Sequence, residues 1–425
     1  MAREPLFVGI DAGTSGVRAI AIDAERQVVA QGAARMEAFG TDHRSPRIWQ
    51  SALEAALGDL FATVDPSSVT ALSVDGTSGT MLPVDAGGQP VRQPMMYNDP
   101  VADGAIVDAI AHAAPDTSAA HGVNSALARA IVLQRAPGAV RVIHQADWLA
   151  SLLSGRFDLS DENNALKTGY DPVARQWPDW IVRTGMAMER LPAVLEPGTV
   201  MARAGGTLAR QFGLDPQALV VAGTTDGCAS FLATGASMPG DGVTALGTTL
   251  TIKLFSDKPV FAPQFGIYSH RLAGGWLAGG ASNTGGNVLA AHFASDEIAA
   301  LSQRIDPETD TGFDYYPLSK PGERFPVNDP AMQPRMEPRP ADDALFLKAI
   351  LEGIANVEAM AYERLSELGA PALASIRTVG GGASNPVWSA MRQRKLEVPA
   401  RPVLSLEAAF GTALLALQSA GQGQA

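Results

Sequence analysis

Five strand-length runs in this chain each end in a glycine-containing turn, four of them with small hydroxyl residues, and in three an aspartate stands in the turn. Residues 7–10 lead into Asp11-Ala12-Gly13-Thr14-Ser15-Gly16. Residues 69–74 lead into Asp75-Gly76-Thr77-Ser78-Gly79, and residues 220–222 into Gly223-Thr224-Thr225-Asp226-Gly227. Residues 243–246 lead into Gly247-Thr248-Thr249, and residues 377–379 into Gly380-Gly381-Gly382. Runs bounded by such turns read as strands. With helix-periodic segments between them, the pattern restricts the chain to an α/β architecture whose polar groups collect in the loops.

The first run opens a three-stranded antiparallel unit: residues 7–10, 17–22 and 28–30, joined by turns at 11–16 and 23–27. A strand–turn–strand unit with a Gly-Thr tip occurs at residues 11–18 and again at 245–252, an echo of two related halves. In the first helix pattern, Ile48, Trp49, Ala52, Leu53, Ala56, Leu57, Leu60 and Phe61 share one face, after Ser45 as N-cap and Pro46 as first residue. Residues 139–154 read as a helix stopped by Gly155. The longest pattern, 343–368, places Phe346, Ile350, Ile354, Val357, Ala361, Leu365 and Leu368 on one side and ends at Gly369. A last helix is expected over 406–417, with a frayed tail after it. Proline-rich residues 320–340 read as a loop with the composition of a mobile one.

A length of 425 residues suits two or three domains. Apolar residues make up 46% of the chain, enough for packed cores and too many for a disordered protein. The net charge of −12 argues against nucleic acid or an anionic membrane as partner. Cys228 is the one cysteine, so neither a disulfide framework within the chain nor a multi-cysteine metal site is available, and a reducing compartment is expected. The longest stretch without Asp, Glu, Lys or Arg, residues 272–295, holds six glycines and does not read as a membrane helix. The opening residues lack the apolar length of a signal peptide, so a cytoplasmic location is expected. No Gly-Lys-Ser/Thr, H-E-x-x-H or G-x-S-x-G occurs, which excludes P-loop, zincin and α/β-hydrolase chemistry. The six histidines show no metal-ligand spacing.

The turns carry the candidate chemistry. At residues 11–18, glycines let backbone N–H groups approach an anion and Thr14 and Ser15 add hydroxyl donors. An acid beside a phosphate needs a cation between them, and carboxylate with phosphate oxygen is a usual Mg²⁺ environment. The competing reading is an ordinary turn with a structural aspartate. Asp226, after a strand, can take a proton from a substrate hydroxyl; it can equally serve as a helix N-cap. Gly247-Thr248-Thr249 and the triple glycine at 380 read as backbone cradles or as tight turns.

Taken together, D-x-G-T-x-x-x-R at Asp11, G-T-T-D-G at Gly223, G-T-T at Gly247 and G-G-G-A-S-N-P-x-W at Gly380 resemble the FGGY carbohydrate kinases. The resemblance spans residues 7 to about 417. It includes Met96-Tyr97-Asn98-Asp99, Asp147-Trp148-Leu149 with Leu153-Ser154-Gly155, the run from Asp161 to Asp171, and the closing E-x-x-x-G-A-A-x-x-A helix from Glu407, where Thr412 replaces an alanine. Within the family the chain is most similar to short pentulose kinases of the D-ribulose kinase type, through V-D-G-T-S-G-T at Val74 and N-A-L-K-x-G-Y-D at Asn164. Glycerol kinases carry Arg-Glu where this chain has Ser78-Gly79. After Asn98-Asp99 the chain reads Pro-Val-Ala-Asp, where many members place an arginine.

The resemblance implies two actin/Hsp70/hexokinase-like (ribonuclease H-like) domains with a ligand cleft between them. It divides the chain at 1–225 and 226–425, with the last helix (406–417) packing back on the first domain. It implies transfer of the ATP γ-phosphoryl group to a sugar hydroxyl, D-ribulose being first choice and D-xylulose, L-ribulose or a polyol the alternatives. A non-catalytic sugar- or nucleotide-binding regulator is the reading from another class, and it has no need of both Asp11 and Asp226. Asp226 would be the general base. Asp11 would hold Mg²⁺. Gly13, Thr14, Ser15 and Arg18 would meet the phosphates on one side and Gly247, Thr248 and Thr249 on the other. Gly381, Gly382 and Asn385 would flank the adenosine, and Asp75, Gly76, Thr77, Asn98, Asp99 and Asp226 would face the sugar. For Arg18 the competing reading is pairing with a nearby acid. Trp148, Trp388 and Cys228 are expected to pack rather than bind. The assembly state is left open.

Overall fold

The computed structural model describes residues 4–422. Contacts divide them into two compact units. The first runs to Ala233 and adds His270–Ala273 and the chain from Ser405 onward; the second comprises Thr234–Ser269 and Gly274–Leu404.

The first unit is built on a six-stranded sheet. Its strands are β1 (Leu6–Ala12), β2 (Gly16–Ile22), β3 (Val28–Arg35), β4 (Val69–Gly76), β5 (Val200–Arg203) and β6 (Leu219–Val221), in the order β3-β2-β1-β4-β6-β5. β1, β4 and β6 are parallel neighbours, while β2, β3 and β5 run antiparallel to theirs. The alternating apolar residues of β1 and β2 are buried, with Val8, Ile10, Val17 and Ala19 fully so. Helix α1 (Pro46–Phe61) covers β2 and β3 with the predicted face, but the Ser45 side chain makes no capping bond. The C-terminal helix, Ala408–Gln422, packs on β1 and β4. It approaches β1 so closely that a Cβ at Gly9 would lie 2.0 Å from the Ala409 carbonyl oxygen. It starts two residues later and ends five later than its periodicity predicts.

Residues 139–154 are not one helix. Residues Arg141–His144 form a strand paired antiparallel with Met81–Val84, and only Gln145–Ser154 is helical, closed by Gly155 in the left-handed conformation. The β-branched pair Val142-Ile143 finds a strand partner, and that tertiary contact overrides the helical pattern. Helix α2 (Ala126–Leu133) and helix α3 (Gln145–Ser154) flank this strand pair, and α4 (Asp226–Ala233) follows β6 within the first unit. The expected boundary at 225/226 thus differs from the contact division, which falls after α4.

The second unit holds a sheet with β7 (Asp241–Leu246), β8 (Leu250–Ser256), β9 (Gly275–Ala281) and β10 (Ser375–Val379) in the order β9-β8-β7-β10. As in the first unit, an antiparallel hairpin, β7–β8, has a parallel strand, β10, beside its first member. Its helices include α5 (Gly286–His292), α6 (Ser295–Ser302), α7 (Asp343–Glu367) and α8 (Pro386–Leu396). α7 matches its pattern closely and buries Phe346, Ile350, Ile354, Val357, Ala361 and Leu365. Residues 320–340 are largely irregular, yet Glu323 accepts from Ser282, Asn283 and Tyr316.

Candidate active site

Three of the five turns meet because β1, β4 and β6 are parallel neighbours, which puts their carboxyl ends on one edge of the first unit's sheet. Ligands of open α/β sheets bind outside such ends. Asp11 and Asp75 are register partners on β1 and β4, and Gly76 bridges to Thr225 beyond β6. A cavity of about 540 Å³ opens there, lined by Asp11, Gly13, Thr14, Ser15, Thr77 and Asp226 among the predicted residues.

The Asp11 hairpin is closed by Gly13 N–H donating to the Gly16 carbonyl at 3.0 Å and tethered by Met36 N–H donating to the Ser15 carbonyl. Asp75 is fully buried beneath it. Burial pushes the Asp75 carboxyl well above the ordinary carboxylate range, and the Asp11 charge raises it further. Burial also raises Asp11. Asp75 Oδ2 accepts from the Thr412 hydroxyl, while Oδ1 has no donor. Oδ1 is suited to carry a proton toward the Asp11 carboxylate. Two neighbouring acids that share a proton keep a single negative charge at the strand ends.

Asp226 is the first residue of α4, not its cap. The cap position falls on Thr225, whose carbonyl accepts from Cys228 and Ala229 N–H at 2.9 Å. Asp226 is half-buried; Gly227 N–H donates to its Oδ1 at 2.6 Å. Its turn is held from behind by the run at 161–171. Asp161 caps the short helix Glu162–Leu166 through Asn163 and Asn164 N–H, with burial raising its carboxyl to about 6. Asn163 Nδ2 donates to Thr224 Oγ1 at 2.9 Å and Asn164 Nδ2 to the Thr224 carbonyl at 3.3 Å.

Lys167, which sequence reasoning left without a role, lines the same cavity. Burial lowers its amine to about 8, opposed by the nearby Cys228 and Asp226. Its signal was the N-A-L-K run. Ser78, Tyr97 and Ser230 also line the cavity and were not predicted. Thr77 is tied to Gln145 Oε1 and Thr80 Oγ1, each at 2.7 Å.

The remaining acceptor-side residues are dispersed. Gly76 ends β4 and is buried. Asn98 lines a neighbouring cavity of about 410 Å³ with Thr14, Arg44 and Tyr97. The Asp99 carboxylate is engaged by Arg44, which donates to both its oxygens at 2.6 and 2.8 Å, and by Met96 N–H. Arg44 supplies a guanidinium that the sequence after Asp99 lacks. Arg18 is exposed, pairs with Glu407 at 3.3 Å and does not line the cavity. Trp148 and Cys228 are buried, and Trp148 packs edge-on against Trp49.

The second unit carries a separate cavity of about 820 Å³. Gly247, Thr248, Gly381, Gly382 and Asn385 line it, at the ends of β7 and β10. Thr249 does not; its backbone lies against Gly285. The three glycines differ in function. Gly380 has φ +87°, Gly381 has open space, and a Cβ on Gly382 would sit 2.6 Å from Trp388. Asn385 caps α8 through Val387 and Trp388 N–H. Trp388 is buried, with its indole N–H on the Leu351 carbonyl.

For a metal, the Asp11 turn offers oxygen donors: the Asp11 carboxylate and the Thr14 and Ser15 hydroxyls. Among the described residues no group of three or more His, Cys, Asp or Glu could hold an ion. That donor set fits a hard cation that keeps most of its waters and shares phosphate oxygens, as Mg²⁺ does. No helix of the described residues is long and apolar enough to cross a membrane.

Two α/β units, each with a hairpin and strand-end glycine turns, make up an actin/hexokinase-like fold. Residues 241–420 match the C-terminal domain of the FGGY family of carbohydrate kinases. A xylulose kinase of Streptomyces coelicolor is 28% identical over 447 residues, covering 99% of this chain and 88% of that protein. An autoinducer-2 kinase of Yersinia enterocolitica is 27% identical over 301 residues, covering 64% of this chain and 55% of that one. The solved structure of a xylulose kinase from Brucella ovis superposes with a TM-score of 0.83 at 22% identity, covering 98% of this chain and 91% of that one. The chain is thus similar to the FGGY carbohydrate kinases over residues 241–420, and the relatives that match it are kinases.

Proposed function

We propose that the enzyme phosphorylates a pentulose, D-ribulose in the first instance, with Asp226 as general base. The observation that carries this reading is the convergence of Asp226, Asp11 and the Gly13–Thr14–Ser15 turn on one cavity of the first unit. Asp226 takes the proton of the acceptor hydroxyl. That oxygen forms a bond to the γ-phosphorus while the bond from γ-phosphorus to the β,γ-bridging oxygen breaks, and ADP leaves. The Gly13 backbone and the Thr14 and Ser15 hydroxyls meet the phosphates in the first unit's cavity, and Gly247 and Thr248 are the second unit's candidates for phosphate contact. Mg²⁺ held at Asp11 would neutralise charge on the phosphates. Thr77, Ser78 and Lys167 orient the acceptor beside Asp226, and Gly381 and Gly382 give the adenosine a bare backbone wall. Location in the cytoplasm fits these substrates.

Phosphate charge is thus met mainly by backbone donors and a cation, which is compatible with a net charge of −12. D-xylulose is the second reading, because the Streptomyces relative that spans nearly the whole chain is a xylulose kinase. Coupled ADP assays over D-ribulose, D-xylulose, L-ribulose, gluconate and ribitol decide the acceptor. Asp226→Asn is expected to lower kcat by about 10³ with ATP binding retained. A variant with near-normal kcat overturns the base assignment.

A further inference from the structure

The second unit's cavity is unusual in what it lacks. Among the described residues that line it none is charged, and Leu246, Leu289, Phe293, Ile298, Val387 and Trp388 form much of its wall. A site that reads a nucleobase needs polar groups fixed as donor or as acceptor at the base edge, because adenine and guanine differ by exchange of those roles. Here most of the fixed side-chain groups are already engaged. Asn385 Oδ1 accepts from Val387 and Trp388 N–H, and its Nδ2 donates to Ser302 Oγ at 2.9 Å. Ser384 Oγ donates to the Gly381 carbonyl at 2.8 Å. Asn287 Nδ2 is shared between the Asn283 carbonyl and Ser319 Oγ.

What is left is adaptable. Gln303 is exposed and can present either end of its amide, and a serine or threonine hydroxyl donates or accepts as required. Among the described side chains that line the cavity, Asn287 Oδ1 is the buried acceptor without a donor; it belongs to α5, whose Asn287 N–H binds the Thr248 carbonyl. It therefore stands at the end of the cavity assigned to ribose and phosphate, where a sugar hydroxyl can satisfy it.

We infer that this cavity holds the nucleoside of the phosphoryl donor by shape and apolar contact and does not read its base, so that purine triphosphates other than ATP serve as donors. The inference rests on the nucleotide assignment made above. Apolar pockets separate similar ligands by about 10–200-fold, whereas a site built to hydrogen-bond its ligand reaches about 10⁴.

The test measures kcat/KM for ATP, GTP and ITP with the best acceptor, and Kd for ATP and GTP by calorimetry. Ratios of ATP to GTP below about a hundredfold in both are expected, and they should be unchanged in Gln303→Ala. A preference for ATP above a hundredfold overturns the inference, as does a preference that collapses in Gln303→Ala, since Gln303 would then be the reader. The calorimetric arm reports on the base even where no acceptor turns over. Absence of phosphoryl transfer to every sugar, with both nucleotides bound equally, would instead overturn the proposed reaction and leave the base-blind cavity standing.

Discussion

The hydroxyl of Thr412, in the C-terminal helix, donates a hydrogen bond to Asp75 Oδ2 at the end of β4, joining residues 337 positions apart. Asp75 is fully buried, so that oxygen has no water to replace the donor. Thr412→Val keeps the shape and removes the hydroxyl. An unsatisfied buried acceptor costs about 1–3 kcal/mol, and urea denaturation should show a loss in that range. Thr412→Ser restores the donor and should recover most of it. Equal stability of the valine variant and the parent would show that the bond contributes nothing.

The same helix imposes a steric limit on β1. A Cβ at Gly9 would fall 2.0 Å from the Ala409 carbonyl oxygen and 2.2 Å from the Ala413 backbone nitrogen. Both obstacles are backbone, so neither can swing aside. Gly9→Ala is expected to destabilise the protein by about 3 kcal/mol, lowering the urea midpoint. A midpoint within error of the parent would mean that helix and strand separate without cost.

The strand-end turns were legible in the sequence because glycine, hydroxyl and acidic residues cluster there for reasons of local chemistry. Their meeting was not, since parallel pairing of β1, β4 and β6 is a tertiary fact. Residues 141–144 show the limit most clearly. Their side chains fit a helical pattern read with 145–154, and only the partner strand Met81–Val84 selects the extended form. Lys167 and Asn163 lay in a quoted motif, but nothing local says that one lines a cavity and the other holds Thr224. Asp99 looked free to bind a ligand until Arg44, 55 residues earlier, occupied it.

In the core of the second unit, Arg392 and Glu358 form a bidentate pair at 2.5 and 2.6 Å, with Thr244 and Thr378 hydroxyls completing the network. The pair is almost fully buried. Removing one partner strands the other charge, so Arg392→Met should cost about 3–5 kcal/mol. Glu358→Gln combined with it should cost less than the sum of the two single changes. Additive losses would show that the pair is not coupled.

His144 makes stability depend on pH. Burial, aided by Arg129, lowers its imidazole to about 3 from an ordinary value near 6.5. The folded state therefore binds fewer protons than the unfolded chain between those values, and this contribution is present above 6.5 and lost as pH falls toward 3. The slope is about 1.4 kcal/mol per pH unit at most. The buried Asp147 and Asp161 carboxyls are raised and act in the opposite direction. The difference between parent and His144→Gln isolates the imidazole. The parent should lose more stability than the variant between pH 7 and 5, and parallel curves would contradict the neutral imidazole.

Asn163 separates support of Asp226 from support of the fold. Its Nδ2 donates to Thr224 Oγ1 and to the Arg271 carbonyl, both at 2.9 Å, and Thr224 precedes Asp226 by two residues. A base displaced by a fraction of an ångström loses alignment with the acceptor hydroxyl. Asn163→Ala is expected to lower kcat about 10–100-fold while the KM for ATP stays within about twofold. Asn163→Asp keeps an oxygen but removes the donor, so it should be as slow as the alanine variant. Thermal stability measured beside the kinetics supplies the control. A variant that melts earlier yet keeps its kcat at permissive temperature would make Asn163 a scaffold residue with no hold on the base.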